Sequence, residues 1–170
     1  MNSLNILFTD LDGTLRQPKS PGQFVTSPKD QQLIPGVLKR IKEYHSADWI
    51  IAGITNQGGV ASKHKTLRSC IEEQLYTLKL IPQMHSISFC TDFDGLEGYR
   101  VYSTGALKKL PSGRNYRKPN PGMLIQFIED IICPVMVGDC LMIGDRIEDK
   151  EAALASDIQF AWAEDWRNGK

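Results

Sequence analysis

Phe8-Thr9-Asp10-Leu11-Asp12-Gly13-Thr14 is the stretch on which the reading of this chain turns. It closes the apolar run from Leu4 to Thr9, which stops abruptly at acidic residues and glycine. That pattern predicts a buried strand whose C-terminal end carries polar groups. Asp10 and Asp12 lie two apart, so extended backbone puts both carboxylates on one side. Carboxylates this close repel and need a proton or a cation. A hard divalent cation meets the need, and Mg2+ characteristically binds one or two carboxylates together with phosphate oxygens. A carboxylate can also attack phosphorus to give an aspartyl-phosphate. The second can protonate the leaving alkoxide and later activate water. Gly13 and Thr14 allow a tight turn with N–H groups facing an anion. Taken alone, Asp-x-Asp-Gly is also the composition of an ordinary turn or a calcium loop. Leu15, Arg16 and Gln17 leave no EF-hand continuation.

Outward from this stretch, apolar runs and helical periods alternate. Residues 16–30 are rich in Pro, Ser, Gly, Gln and Lys and predict a loop or flap. Pro35-Gly36 opens a helix with Val37, Leu38, Ile41 and Tyr44 on one face. Residues 48–54 form a second buried strand, ending in Thr55-Asn56-Gln57-Gly58-Gly59. A long helix is expected over 61–79, with Leu67, Cys70, Ile71, Leu75 and Leu78 inward. Residues 86–90 read as a short strand. Residues 91–117 show no clear period and predict an extended loop with a helical piece near 103–109. A helix over 119–132 turns Met123, Leu124, Phe127, Ile128 and Ile131 inward. Strand 141–144, helix 147–156 and strand 158–161 complete the chain. The alternation predicts an α/β fold with a mainly parallel sheet. Ligands of such sheets bind outside the carboxyl ends of the strands, where the polar clusters at 10–14, 55–59 and 144–149 all fall.

The bulk properties set broad limits. With 170 residues the chain suits one domain with a proper core, residues 1–170 as a single unit. Its 41% hydrophobic and 24% charged content is ordinary for a soluble globular protein. The net charge is zero, which argues against non-specific coating of nucleic acid but leaves room for a local basic patch. Cys70, Cys90, Cys133 and Cys140 form no C-x-x-C pair and read as small core residues. No apolar window approaches a membrane span, and no leader pattern opens the sequence. The expectation is a cytoplasmic protein with reduced thiols and no membrane partner. Nothing in the sequence sets an oligomeric state.

Three further clusters carry chemistry. Thr55 follows a buried strand, where its hydroxyl can donate to a phosphate oxygen, and Gly58-Gly59 precedes a helix whose N-terminus attracts anions. An ordinary cap at Thr55 or Asn56 reads the same way. Lys118, in Arg117-Lys118-Pro119-Asn120-Pro121-Gly122-Met123, stands before a helix-starting proline and can hold a phosphoryl group. A solvated surface lysine is the plainer reading. Gly144-Asp145-Arg146-Ile147-Glu148-Asp149 offers Asp145 as a second side-chain metal ligand, and Asp149 as support for Lys118 or a metal-bound water. Acids there also suit a helix dipole.

Taken in order, these segments resemble the haloacid dehalogenase (HAD) phosphohydrolase superfamily over nearly the whole chain. Asp10-Leu11-Asp12-Gly13-Thr14 resembles its first motif, Thr55 with Asn56-Gln57 the second, Lys118 the third, and Gly144-Asp145 with Asp149 the fourth. The resemblance implies a three-layer Rossmann-like domain and a hydrolase of phosphoric monoesters. It implies Asp10 as nucleophile and Mg2+ ligand, and Asp12 as general acid/base and ligand through its backbone carbonyl. Thr55, Asn56 and Lys118 would hold the phosphoryl group, Asp145 would ligate Mg2+, and Asp149 and Arg117 would support the site. Phosphoryl transfer is mostly positioning and charge neutralisation, so this inventory suffices. The strings Ile54-Thr55-Asn56-Gln57-Gly58-Gly59 and Arg117-Lys118-Pro119-Asn120-Pro121-Gly122-Met123-Leu124 narrow the resemblance further. They match the capless subgroup of heptose-bisphosphate and histidinol-phosphate phosphatases and polynucleotide 3′-phosphatases. No stretch is long enough for a sizeable cap domain.

The sugar-phosphate members of that subgroup carry a Cys/His zinc loop before the third motif. Here that region holds only Cys90, with His85 upstream, so no structural zinc is expected. The region offers positive charge instead. Arg100, Lys108, Lys109, Arg114, Arg117 and Lys118 are interleaved with Tyr99, Tyr102 and Tyr116, and residues 100–118 contain no acid. Such a loop could grip a second phosphate or a nucleic-acid backbone, or simply balance acids elsewhere. Arg16 and Lys19 could add to the field. His45, His64 and His85 read as surface or satisfied. The expected substrate is a small sugar or metabolite phosphate. Alternatives are a nucleic-acid end bearing a 3′-phosphate and, in another class, a non-catalytic binding protein on the same fold.

Overall fold

The computed structural model describes residues 3–131 and 136–170. Among them the elements run β1 (Ser3–Thr9), β2 (Arg16–Gln17), β3 (Gln32–Leu33), α1 (Val37–Ser46), β4 (Ile50–Asn56), α2 (Leu67–Leu80), β5 (Met84–Cys90), β6 (Gly98–Tyr102), β7 (Leu107–Lys109), α3 (Gly122–Ile131), β8 (Met136–Gly144), α4 (Ile147–Ala155), β9 (Gln159–Trp162) and α5 (Ala163–Arg167). Seven strands form one sheet in the order β7-β6-β5-β4-β1-β8-β9, and β2 and β3 pair separately. β5, β4, β1, β8 and β9 are parallel, while β6 and β7 are antiparallel additions at one edge. This is the α/β, mainly parallel architecture expected from the alternation.

The period of two sorts the core into two layers. Ile6 and Phe8 of β1, Ala52 and Ile54 of β4, and Met142 of β8 face α3 and α4, where Met123, Leu124, Phe127, Ala152 and Ala153 meet them. Leu7, Ile51 and Ile143 face the other way, onto Val37 and Ile41 of α1, Cys70 and Leu78 of α2, and Trp166 of α5. Helices thus cover both faces of the parallel strands. The chain leaves β1 toward β4 and β5 and later returns to β8 on the other side, so β1 is the topological switch point. No helical cap stands over its C-terminal end among the described residues. No helix is long and apolar enough to cross a membrane among them either.

Several expectations need correction. Residues 91–117 are not an extended loop, and 103–109 are not helical: β6 and β7 lie there and lengthen the sheet. The alternation of Tyr99, Arg100, Val101 and Tyr102 was masked by a buried arginine on an otherwise apolar face. The long helix begins at Leu67, behind an N-cap in which the Thr66 hydroxyl accepts from the Ser69 N–H. Its buried face carries Cys70, Glu73, Gln74, Thr77 and Leu78, whereas Leu67, Ile71 and Leu75 are only partly buried. Leu38 of α1 is exposed. Of the cysteines, Cys70 and Cys90 are buried and Cys140 is half-buried, while Cys133 and the expected helix end at Ile132 lie outside the described residues.

Candidate active site

Three strand ends meet at the switch point. β1 delivers Asp10, whose backbone N–H donates to the Ile143 carbonyl of β8 at 2.8 Å. The chain then folds back through Gly13, whose φ of 87° lies in the left-handed region. A Cβ on Gly13 would overlap the Asp145 carboxylate, so the close approach itself demands glycine. Gly144, at the end of β8, is likewise pressed against the Asp149 side chain. Asp149 Oδ2 accepts from the Asp145 and Arg146 N–H groups at 3.2 and 3.1 Å and closes the N-terminus of α4.

Lys118 sits in the middle of the carboxylates, almost fully buried. Its three ammonium donors go to Asp10 Oδ1 at 2.7 Å, Asp149 Oδ1 at 2.6 Å and the Ile54 carbonyl at 2.9 Å. The Thr14 hydroxyl lies 3.1 Å from Asp10 Oδ2 and 3.4 Å from Asp145 Oδ1. Asp10, Asp145 and Asp149 each bring a carboxylate oxygen within 4.8 Å of the others. One ammonium therefore faces three acids. Burial pushes the Asp10 carboxyl up to about 7 against the pull of Lys118, and Asp149 adds to the rise. Burial and Asp149 also push Asp145 up. Burial pulls on Lys118 in the opposite sense, but Asp10 and Asp149 override it and hold the ammonium above its usual range. A surplus of clustered carboxylate oxygens fits a hard divalent cation.

Asp12 stands apart from this cluster. Arg16 grips it through Nε at 2.8 Å and Nη2 at 3.3 Å, and the Gln57 amide donates to its Oδ2 at 3.1 Å. Burial pushes the Asp12 carboxyl up, but the Arg16 guanidinium overrides that and holds it below the usual carboxylate range. Thr55 is buried and its hydroxyl accepts from the same Gln57 amide at 3.0 Å.

Two expected roles shift with the geometry. The Asn56 side chain is tied to the backbone of Lys118. Its Oδ1 accepts from the Lys118 N–H at 3.0 Å and its Nδ2 donates to the Lys118 carbonyl at 2.9 Å, so it fixes the lysine backbone. The basic segment does not form a free field. Arg100 is buried and pairs with Asp130, Lys108 also pairs with Asp130, Lys109 with Glu97, and Arg114 with Glu129. Tyr116 is buried and Tyr99 stacks on Phe89. Arg117 alone of the group, beside Lys118, lines the site, with its guanidinium over Phe93 at 5.1 Å. Arg16 is fully buried rather than part of a surface field. The sequence offered Thr14 only for its backbone N–H and Gln57 only as part of the second motif, and it did not single out Glu73. The signal for Glu73 was present, since an acid three residues from Cys70 falls on the buried helix face and requires a buried partner.

Above these residues lies an open cavity of about 800 Å³, lined by Asp10, Asp12, Thr55 and Lys118 below and by Phe24, Phe93 and Arg117 around the mouth. A doubly covered parallel sheet with paired aspartates at its switch point, a buried lysine and a second acidic strand end defines a phosphatase of the haloacid dehalogenase type. The sequence model of the polynucleotide kinase 3 phosphatase family matches residues 5–166, and the chain belongs to that family. It is 29% identical over 156 residues to the D-glycero-beta-D-manno-heptose-1,7-bisphosphate 7-phosphatase of Yersinia pestis, covering 92% of this chain and 78% of that one. The protein of the same name from Escherichia coli K12 is 26% identical, with 92% and 76% covered. The D,D-heptose 1.7-bisphosphate phosphatase of B. bronchiseptica, solved with magnesium and phosphate, shares the fold with a TM-score of 0.67 at 23% identity, covering 94% of this chain and 79% of that one.

Proposed function

We propose that this protein is a Mg2+-dependent phosphomonoesterase acting through an aspartyl-phosphate on Asp10, its substrate a small sugar or metabolite phosphate, with residues 1–170 working as one catalytic unit. One observation carries the reading: the carboxylate at the end of the central strand is held by Lys118 on one oxygen, has the Thr14 hydroxyl beside the other, and clusters with the Asp145 and Asp149 carboxylates. In the proposed reaction Asp10 attacks phosphorus as the ester P–O bond breaks, and Asp12 gives a proton to the leaving oxygen. Asp12 then takes a proton from the water that attacks the phosphoryl group, which frees Asp10 and releases phosphate. Lys118 and the Thr55 hydroxyl face the phosphoryl oxygens, while Asn56 and Asp149 hold Lys118 in place. Asp10, Asp145 and the Asp12 backbone carbonyl would hold the metal. When bound, Mg2+ neutralises charge between the carboxylates and the phosphoryl oxygens.

The heptose-bisphosphate phosphatase relatives support a sugar-phosphate substrate, and the magnesium in the B. bronchiseptica structure supports the metal. The free thiols of Cys70, Cys90 and Cys140 support a reducing cytoplasm. A second reading, removal of a 3′-phosphate from a nucleic-acid end, is favoured by the cavity mouth. Phe24 and Phe93 are 62% and 61% exposed there, and flat apolar faces beside a cation suit a base next to a phosphate. Parallel assays of Mg2+-dependent phosphate release from sugar phosphates and from 3′-phosphorylated oligonucleotides separate the two. Turnover confined to the oligonucleotide overturns the first reading. Release that is equal for wild type and Asp10→Asn overturns both.

A further inference from the structure

Five side chains close into a ring beside the site. Asp12 accepts from Arg16 at 2.8 Å, and Arg16 Nη2 donates to Glu73 Oε1 at 2.6 Å. Glu73 Oε2 accepts from Lys65 Nζ at 2.6 Å, and Lys65 donates to Gln57 Oε1 at 3.3 Å. The Gln57 amide returns to Asp12 at 3.1 Å. Two acids, two bases and one amide are drawn from the β1 turn, β2, the loop after β4 and α2. Arg16 and Glu73 are all but fully buried. The remaining Arg16 nitrogen, Nη1, is held by Gln31 and Thr77. Of the ring, Arg16 does not line the cavity, whereas Asp12, Gln57, Lys65 and Glu73 do.

Stability alone does not account for such a ring. Burying charges costs desolvation that their mutual attraction only partly offsets, so apolar residues of the same volume would serve packing equally well. What the ring provides is orientation. Both Asp12 oxygens are gripped from the protein side, Oδ1 by Arg16 and Oδ2 by Arg16 and Gln57, yet the side chain keeps 27% of its surface toward the cavity. Gln57 ties the same carboxylate to Thr55, so the groups meant for the leaving oxygen and for the phosphoryl group share one support.

We propose that the ring Asp12–Arg16–Glu73–Lys65–Gln57 is a positioning device for proton exchange with the leaving oxygen, with Arg16 and Glu73 as positioning residues. The proposal rests on the reading of Asp12 as general acid/base. Arg16 keeps Asp12 ionised in the free site, so Asp12 takes up the proton of the incoming phosphate monoester monoanion and gives it to the leaving oxygen as the ester bond breaks. It then takes one from the attacking water and returns that one to the departing phosphate, so that over one turnover the ring neither gains nor loses protons.

The test compares an alkyl phosphate, whose leaving oxygen needs a proton, with 4-nitrophenyl phosphate, whose anion leaves without one. In Arg16→Met and in the near-isosteric Glu73→Gln, the ratio of kcat/KM for the alkyl ester to that for the aryl ester falls about tenfold or more, within the range of a general-acid contribution. Arg16→Lys restores part of the ratio. A merely structural role lowers both esters together and leaves the ratio unchanged, which overturns the proposal. If Arg16→Met does not fold, Glu73→Gln decides on the same ratio. Asp12→Asn separates the levels: an unchanged alkyl rate in that variant removes the reading of Asp12 and the ring's purpose with it.

Discussion

Asp10 is a buried carboxyl whose protonation in the folded protein is displaced upward to about 7, because burial and Asp149 outweigh the help of Lys118. The unfolded chain holds that proton only below the ordinary aspartate range near 4. Stability from this group is therefore fully present at low pH and is lost as pH rises through about 7. In EDTA, Tm should rise as pH falls from 8 to 5, and Asp10→Asn should flatten that rise; scanning calorimetry of the two proteins checks it. Asp12 behaves oppositely. Held low by Arg16, it contributes stability above the unfolded aspartate range that is lost on further acidification. A Tm that rises all the way to pH 2 would contradict the Arg16 pairing. Lys118 bridges two carboxylates, so Lys118→Met leaves Asp10 and Asp149 facing each other unpaired. That should cost about 3 kcal/mol or more in the metal-free protein, read by urea unfolding, and Mg2+ should recover part of it.

At the scale of elements, the flap between β2 and β3 is organised by one half-buried residue. Asp30 accepts from Ser20 N–H and hydroxyl at 2.8 and 2.7 Å, from Lys19 N–H at 3.2 Å, and from Thr26 N–H and hydroxyl at 3.2 and 2.8 Å. These bonds hold Phe24, Val25 and Thr26 against the cavity. Asp30→Ala should raise KM several-fold with kcat and Tm nearly unchanged, measured by steady-state kinetics and thermal unfolding. The β6 edge makes a different case. Arg100 donates to Ser88 at 2.9 Å, pairs with Asp130 of α3 and lies over Phe127 at 4.8 Å, which ties the antiparallel edge to the helix layer. Arg100→Ala should destabilise by about 2 kcal/mol, less than a fully buried pair because Asp130 stays part-exposed and keeps Lys108. Its kcat/KM should match wild type. A loss of substrate affinity at unchanged stability would restore the segment to substrate binding.

Across the whole molecule, what repeats with a period was legible and what is buried and polar was not. β1, β4 and the strand before Asp145 announced themselves as apolar runs ending in polar residues or glycine, and the clusters at Asp10, Thr55 and Asp145 lie at the carboxyl ends of neighbouring strands, with Lys118 bonded to Asp10 there. Arg16 and Glu73 were missed because each looks like a surface charge until its partner, 57 residues away in sequence, is in place. Arg100 hid β6 for the same reason. Asn56 shows a subtler limit: a motif position tells that a residue belongs to the site, not whether it faces the cavity by itself or holds the backbone of the neighbouring lysine. Covalent participation of Asp10 is the claim on which the rest depends. The most direct measurement is to quench turnover of a phosphate ester with borohydride, which reduces an acyl-phosphate, and to map the modified residue by peptide mass spectrometry. Homoserine at position 10 in wild type, absent without substrate and in Asp10→Asn, is the predicted result. Reduction at Asp12 or Asp145 with Asp10 intact would contradict it.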